Sequence, residues 1–155
     1  DCGWSNYYPS DNYPFMYKCR SANSSIIKYR YADVLLLKAE ALIMQDTPDL
    51  EGAADIIDEV RDRAKLGALS SSTRSNKDAL LNALLKERRL ELAFEGQRWF
   101  DLVRLDKVEE VMNAVHAKDS GRKAQVYTYD KNSYRLPIPQ SVIDANDKIH
   151  QNPGY

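Results

Sequence analysis

The chain has 155 residues, of which 43% are hydrophobic and 29% charged, with a formal net charge of −1. That length suits one domain with a real core, and the near-neutral balance gives no electrostatic case for nucleic acid or an anionic membrane surface. No apolar run approaches the length of a membrane-spanning helix and no basic-then-apolar leader precedes residue 1, so any export signal or lipid anchor is expected outside this chain.

Residues 1–28 form an irregular segment. Trp4, Tyr7, Tyr8, Tyr13, Phe15 and Tyr17 lie among Gly3, Pro9, Pro14 and several Asn, Asp and Ser residues, a composition that does not propagate a helix. Rings beside Asn and Asp can offer a flat face and hydrogen-bonding groups to a sugar, which makes Trp4, Tyr7, Tyr8 and Tyr13 the candidate carbohydrate contacts. The competing reading, which we favour, is that these rings lash the loop to a helical body. Cys2 and Cys19 fall in the same segment. If the chain is exported they could close a loop of about eighteen residues, stabilising by roughly 3 kcal/mol on the chain-entropy model; in a reducing compartment they are two free thiols. Neither has a second cysteine or a histidine at zinc spacing, so no metal site and no cofactor are expected.

Residues 29–118 read as a helical body. Tyr31, Val34, Leu35, Leu37, Ala41, Leu42 and Met44 make the first helix apolar nearly all round, so it is expected to be enclosed by other helices. Asp46, Thr47 and Pro48 end it. A second helix from Leu50 puts Ala53, Ala54, Ile57, Val60 and Ala64 on one face, with Gly67 as its stop. Ala41 and Ala53, twelve apart, match the close-contact positions of a tetratricopeptide repeat, although Glu40 departs from that pattern and no second copy follows at the same period. The polar linker Ser70 to Asn76 leads to a third helix capped by Ser75 or Asn76 and running to Glu95.

ERRLELAFEGQRWFDLVR, residues 87–104, is the densest motif. Glu87, Glu91 and Glu95 stand at i,i+4 spacing, with Arg88 three before Glu91 and Arg98 three after Glu95. Leu84, Leu85, Leu92 and Phe94 form the other face. Gly96 marks an elbow, and Trp99, Phe100, Leu102 and Val103 open a second apolar run that also carries Asp101. Three carboxylates invite a glycoside-hydrolase reading, since two must flank the scissile bond about 5 to 10 Å apart. A general acid needs a raised pKa, however, and each acid has an arginine within a turn that would keep it ionised. Glu87, Arg88, Glu91, Glu95, Gly96, Arg98, Trp99 and Asp101 are therefore taken as structural, with Trp99 in the core and no catalytic residue assigned. His116 and His150 lack a partner in any triad pattern.

Lys107 to Ala117 should form an amphipathic helix with Val108, Val111, Met112 and Val115 inward. Residues 119–155 then read as a hairpin and an extended tail. Val126, Tyr127, Tyr129 and Tyr134 flank the turn Asp130-Lys131-Asn132-Ser133 as a small β-hairpin. Pro137 and Pro139 force an extended path before a helical turn around Ser141 to Ala145. The fold class is thus mainly α, a tetratricopeptide-like helical hairpin plus further packed helices.

Four runs carry a family resemblance: YRYADVLLLKAEAL (residues 29–42), ERRLELAFEGQRWFDLVR, LPIPQSVIDAN (136–146) and QNPGY (151–155). In that order they resemble the C-terminal part of SusD/RagB-family proteins. The resemblance implies a helical, tetratricopeptide-containing lipoprotein exposed on the outer-membrane surface. Such a protein binds an oligo- or polysaccharide without turning it over, and works with a SusC-like TonB-dependent transporter. Family members are several times longer, so residues 1–155 are expected to be one C-terminal helical domain that serves mainly as scaffold. The alternatives are a tetratricopeptide-type adaptor for a partner protein and, more remotely, a hydrolase.

Overall fold

The computed structural model of the chain describes Lys18 and residues 27–118 and 128–155. Among these residues the regular structure is helical: α1 (Tyr31–Met44), α2 (Leu50–Arg63), α3 (Ser71–Arg74), α4 (Lys77–Glu91), α5 (Arg98–Arg104), α6 (Val108–Lys118) and α7 (Gln140–Asp144), with a 3-10 turn at Lys131–Tyr134. The chain divides into two compact units, Asp1–Gln97 and Arg98–Tyr155.

The first unit is built on α1, α2 and α4, which pack against one another. Leu36, Ala39 and Ile43 of α1 meet Ala53, Ala54, Ile57 and Val60 of α2 and Leu80 and Leu84 of α4 in one buried cluster. The small alanines let the helix axes approach closely. Asp49 caps α2 by accepting from the Gly52 N–H at 2.9 Å, and Asn76 caps α4 by accepting from Ala79 at 2.9 Å. The stretch read as a linker contains a helical turn of its own, α3, capped by Ser70. Arg74 of α3 reaches Glu51, Asp55 and Asp58 along one edge of α2, which pins the short helix in place.

Other expectations shift. α1 is not enclosed: Val34, Leu37 and Met44 are 54%, 39% and 52% exposed, and Ala41 is exposed while Ala39 is buried. The alanine pair read from the repeat pattern is therefore not the contact that closes the hairpin. α4 ends at Glu91 rather than Glu95, and the chain turns through Phe94 at φ 66 before Gly96 at φ +79. Phe94 is 72% exposed and lies outside the apolar face assigned to it.

The second unit holds α5, α6, the 3-10 turn and α7. Leu102 and Val108 are its fully enclosed apolar side chains among the described residues, whereas Val115 is 52% exposed instead of inward. Of the expected β-hairpin, Val126 and Tyr127 lie outside the described residues, and the turn itself differs from the expectation. Asp130 accepts from the N–H groups of Asn132 and Ser133, and the Ser133 hydroxyl accepts from the Asp130 N–H. That reciprocal capping box folds Asp-Lys-Asn-Ser into a 3-10 turn, and no strand occurs among the described residues.

Candidate functional site

The charged motif resolves into an ion network whose partners come from elsewhere in the first unit. Glu87 pairs with Arg61 of α2 at 3.1 Å. Glu91 pairs through one oxygen with Arg30 and through the other with Arg63. Glu95 receives Lys18 and the Arg30 Nε, the latter at 2.9 Å. Arg88, 2% exposed, lies 2.9 Å from the Asp33 carboxylate, a charge pairing without hydrogen-bond alignment at that oxygen. Within-helix arginines thus do not hold the acids, as the i,i+3 spacing had suggested; cations up to 77 positions away do.

This network also explains where α4 stops. Lys18 donates to the carbonyls of Glu91 and Ala93 at 3.2 and 3.1 Å, and Arg30 donates to the Glu91 carbonyl. Two cations at the C-terminal end satisfy carbonyls that a helix leaves unpaired and complement its dipole. Burial pushes the Glu95 carboxyl up, but hydrogen bonds from Arg30 and Lys18 outweigh it and leave the group below the ordinary carboxylate range. An acid so held is poorly suited to deliver a proton.

The second unit contains a cavity of about 820 Å³ walled by Trp99, Tyr129, Asn132, Leu136 and Tyr155, with Asp130 and Thr128 beside them. Trp99 projects from α5 and is half-buried, so it walls a cavity rather than filling the core. Its ring lies 6.4 Å from that of Tyr129 at 57°, a tilted rather than a stacked arrangement. Asn113 of α6 fixes Tyr129 by donating to its carbonyl at 3.0 Å and accepting from its N–H at 2.9 Å. Burial raises the Asp130 carboxyl, but donation from the Ser133 and Asn132 backbone more than offsets it and keeps the group ionised.

The two terminal signature runs form the remaining wall. Gln151 accepts from the Ile138 N–H at 2.8 Å and donates to the Ile138 carbonyl at 2.9 Å, so one side-chain amide imitates a strand partner. Asn152 donates to the Leu136 carbonyl at 2.7 Å, and the Tyr155 hydroxyl to the Arg135 carbonyl at 2.9 Å. Gly154 takes φ +95, and a Cβ there would stand 2.9 Å from the Asn132 Cβ, so the tail closes on the 3-10 turn only with glycine at this position. On the outer side of that turn Tyr134 donates to Asp106 at 2.6 Å. The phenol is pushed up to about 12 by this bond.

Of the residues singled out from sequence, Glu87, Arg88, Glu91 and Glu95 converge in the first unit's network. Gly96 is the positive-φ elbow. Arg98, Trp99 and Asp101 belong to α5, where Asp101 is 2% exposed and pairs with Arg104 at 2.7 Å. Trp4, Tyr7, Tyr8 and Tyr13 lie outside the described residues, as do Cys2 and Cys19. The cavity walls at Tyr129, Asn132 and Tyr155 were missed as a site; the signal was the tyrosine density of 127–134 together with the terminal tyrosine. Among the described residues no group of His, Cys, Asp and Glu is placed to hold a metal ion, and no helix is long and apolar enough to cross a membrane.

Helical units of this kind recur in solved proteins. A SusD-like protein from Bacteroides fragilis superimposes with a TM-score of 0.62 at 30% identity, over 81% of this chain and 25% of that one. The chain belongs to the SusD family, whose family model matches residues 4–155. Two SusD-like proteins of Formosa agariphila, P38 and P2, are 41% and 34% identical over 86% and 88% of the chain. The chain spans about a quarter of these relatives, 25% and 27% of their lengths.

Proposed function

We infer that the chain is the C-terminal portion of a longer, non-enzymatic glycan-binding protein of an outer-membrane uptake system. It acts beside a SusC-like TonB-dependent transporter and is held at the cell surface by a lipid anchor. The observation that carries this reading is family membership over residues 4–155. The role of this chain is mainly scaffold, consistent with a charged motif spent on joining helices. The non-enzymatic reading is supported by the same motif, because Glu87, Glu91 and Glu95 are each paired with a cation.

Among the described residues, the aromatic cavity of the second unit is suited to a saccharide. Its volume lies within the roughly 300–1,000 Å³ of small-molecule sites, and ring faces adjoin amide and hydroxyl groups. Calorimetric titration of the whole gene product against a panel of polysaccharides and oligosaccharides tests both levels. Binding to at least one glycan is expected; binding to none overturns the glycan reading. Trp99→Ala should weaken that binding by about 10-fold if the cavity contributes, a loss of roughly 1.4 kcal/mol. Unchanged affinity in a folded Trp99→Ala protein assigns the glycan to residues other than this cavity.

A further inference from the structure

The cavity of the second unit carries charge of one sign. Of the side chains that wall it among the described residues, Asp130 is charged and none is lysine, arginine or histidine. Lys131, the next residue in the chain, donates instead to Asp106 at 3.4 Å, on the outer side of the turn. The capping box holds the Asp130 carboxylate in place: the Asn132 and Ser133 N–H groups donate to its Oδ1 at 2.8 and 3.2 Å. Its Oδ2 takes the Asn132 side-chain amide at 3.1 Å and, having a second lone pair, can accept one more donor.

Donors in these walls are largely spent inside the fold. The Tyr155 hydroxyl is given to the Arg135 carbonyl, the Tyr129 N–H to Asn113 and the Asp130 N–H to Ser133. What the walls keep is acceptor capacity, at Asp130 Oδ2 and at the Tyr155 phenol oxygen. A saccharide hydroxyl brings a donor as well as acceptors, so a neutral sugar can meet such a wall. An ammonium group brings three donors and a charge of the matching sign, and ring faces such as those of Trp99 and Tyr129 attract it further. A carboxylate or sulfate brings acceptors alone. An anion that gives up water needs charge-assisted donors in return, which arginine and lysine supply elsewhere. Here it would stand beside a second anion.

We propose that this cavity takes neutral and amine-bearing saccharides and turns away uronic-acid and sulfated ones, with Asp130 as the residue that sets the preference. This selectivity rests on the reading of the cavity as a glycan site and specifies its ligand. Cellotetraose, the chitosan tetramer with free amines and tetraglucuronate share one backbone linkage and differ in charge, so calorimetric titration of the whole gene product with each isolates that variable. At low ionic strength and mildly acidic pH, where the amines are protonated, the glucuronate is expected to bind at least about 5-fold more weakly than cellotetraose, and the chitosan tetramer at least as tightly. The spread should collapse in 1 M NaCl, where the Debye length is about 3 Å. Asp130→Asn keeps a capping side chain and removes the charge, and should bring the ligands to within about 2-fold of one another. The salt series in the wild-type protein covers the case in which the variant fails to fold. Glucuronate bound as tightly as cellotetraose overturns the proposal and leaves the glycan reading standing; so does a spread that survives high salt, or that survives Asp130→Asn in a folded protein. Binding to no saccharide at all, polysaccharide panel included, overturns the glycan reading and this selectivity with it.

Discussion

Glu95 is 3% exposed at its side chain and stands between Lys18 and Arg30, both partly exposed. Replacing it by glutamine keeps the shape and removes the charge that two cations face. Glu95→Gln is expected to destabilise by about 1–2 kcal/mol, because two partly exposed cations lose their counter-charge and one of the two acceptor oxygens becomes a donor. Its pH dependence has a definite sign. The folded carboxyl lies below the ordinary value of about 4.3, so its contribution is present above that value and is lost as pH falls through the folded pKa. Thermal melts between pH 3 and 7 should therefore show the wild-type and Glu95→Gln curves converging at the acid end. A gap that stays constant with pH would remove Glu95 from the network. The sequence made this residue legible as structural and ionised, but not its partners. Lys18 and Arg30 lie 77 and 65 positions away, and helical spacing reports only neighbours within a turn.

At the scale of elements, α1, α2, α4 and α6 were legible because each carries periodic apolar residues, and for α2 and α4 a side-chain cap. α3 was not, since four residues of Ser, Ser, Thr and Arg have no apolar period. It exists because Ser70 caps it and Arg74 finds three carboxylates of α2. Arg74→Ala should accordingly lower Tm by a few degrees at low ionic strength, with the difference narrowing in 1 M NaCl, where the Debye length is about 3 Å. A salt-independent difference would show that packing of the arginine stem, not its charge, holds α3. The 3-10 turn was misread for a related reason. Asp-Lys-Asn-Ser between tyrosines looks like a hairpin loop, but Asp130 and Ser133 cap each other and curl the backbone instead. The cavity wall that results was therefore hidden in a stretch read as a hairpin.

The whole molecule joins two differently stabilised units. In the first, nine buried residues form a continuous apolar cluster. In the second, Leu102 and Val108 are the enclosed apolar side chains among the described residues, and side-chain amides carry much of the rest. Gln151 closes on Ile138, Asn152 on Leu136 and Asn113 on Tyr129. Family membership was legible at this scale because LPIPQSVIDAN and QNPGY are distinctive; that the two runs are stitched to each other was not, since neither has a periodic pattern to align. Apolar burial stabilises by roughly 25 cal/mol per Å², whereas each polar clamp adds only about 1 kcal/mol net. The second unit should thus open first. Hydrogen exchange is expected to show lower protection for the Ile138 amide than for the amides of Leu36 to Ile43 in α1. Gln151→Ala removes both bonds to Ile138 and should release that amide further while leaving α1 protection unchanged. If α1 loses protection in step with Ile138, the two units unfold as one cooperative body and the polar tail is part of a single global equilibrium.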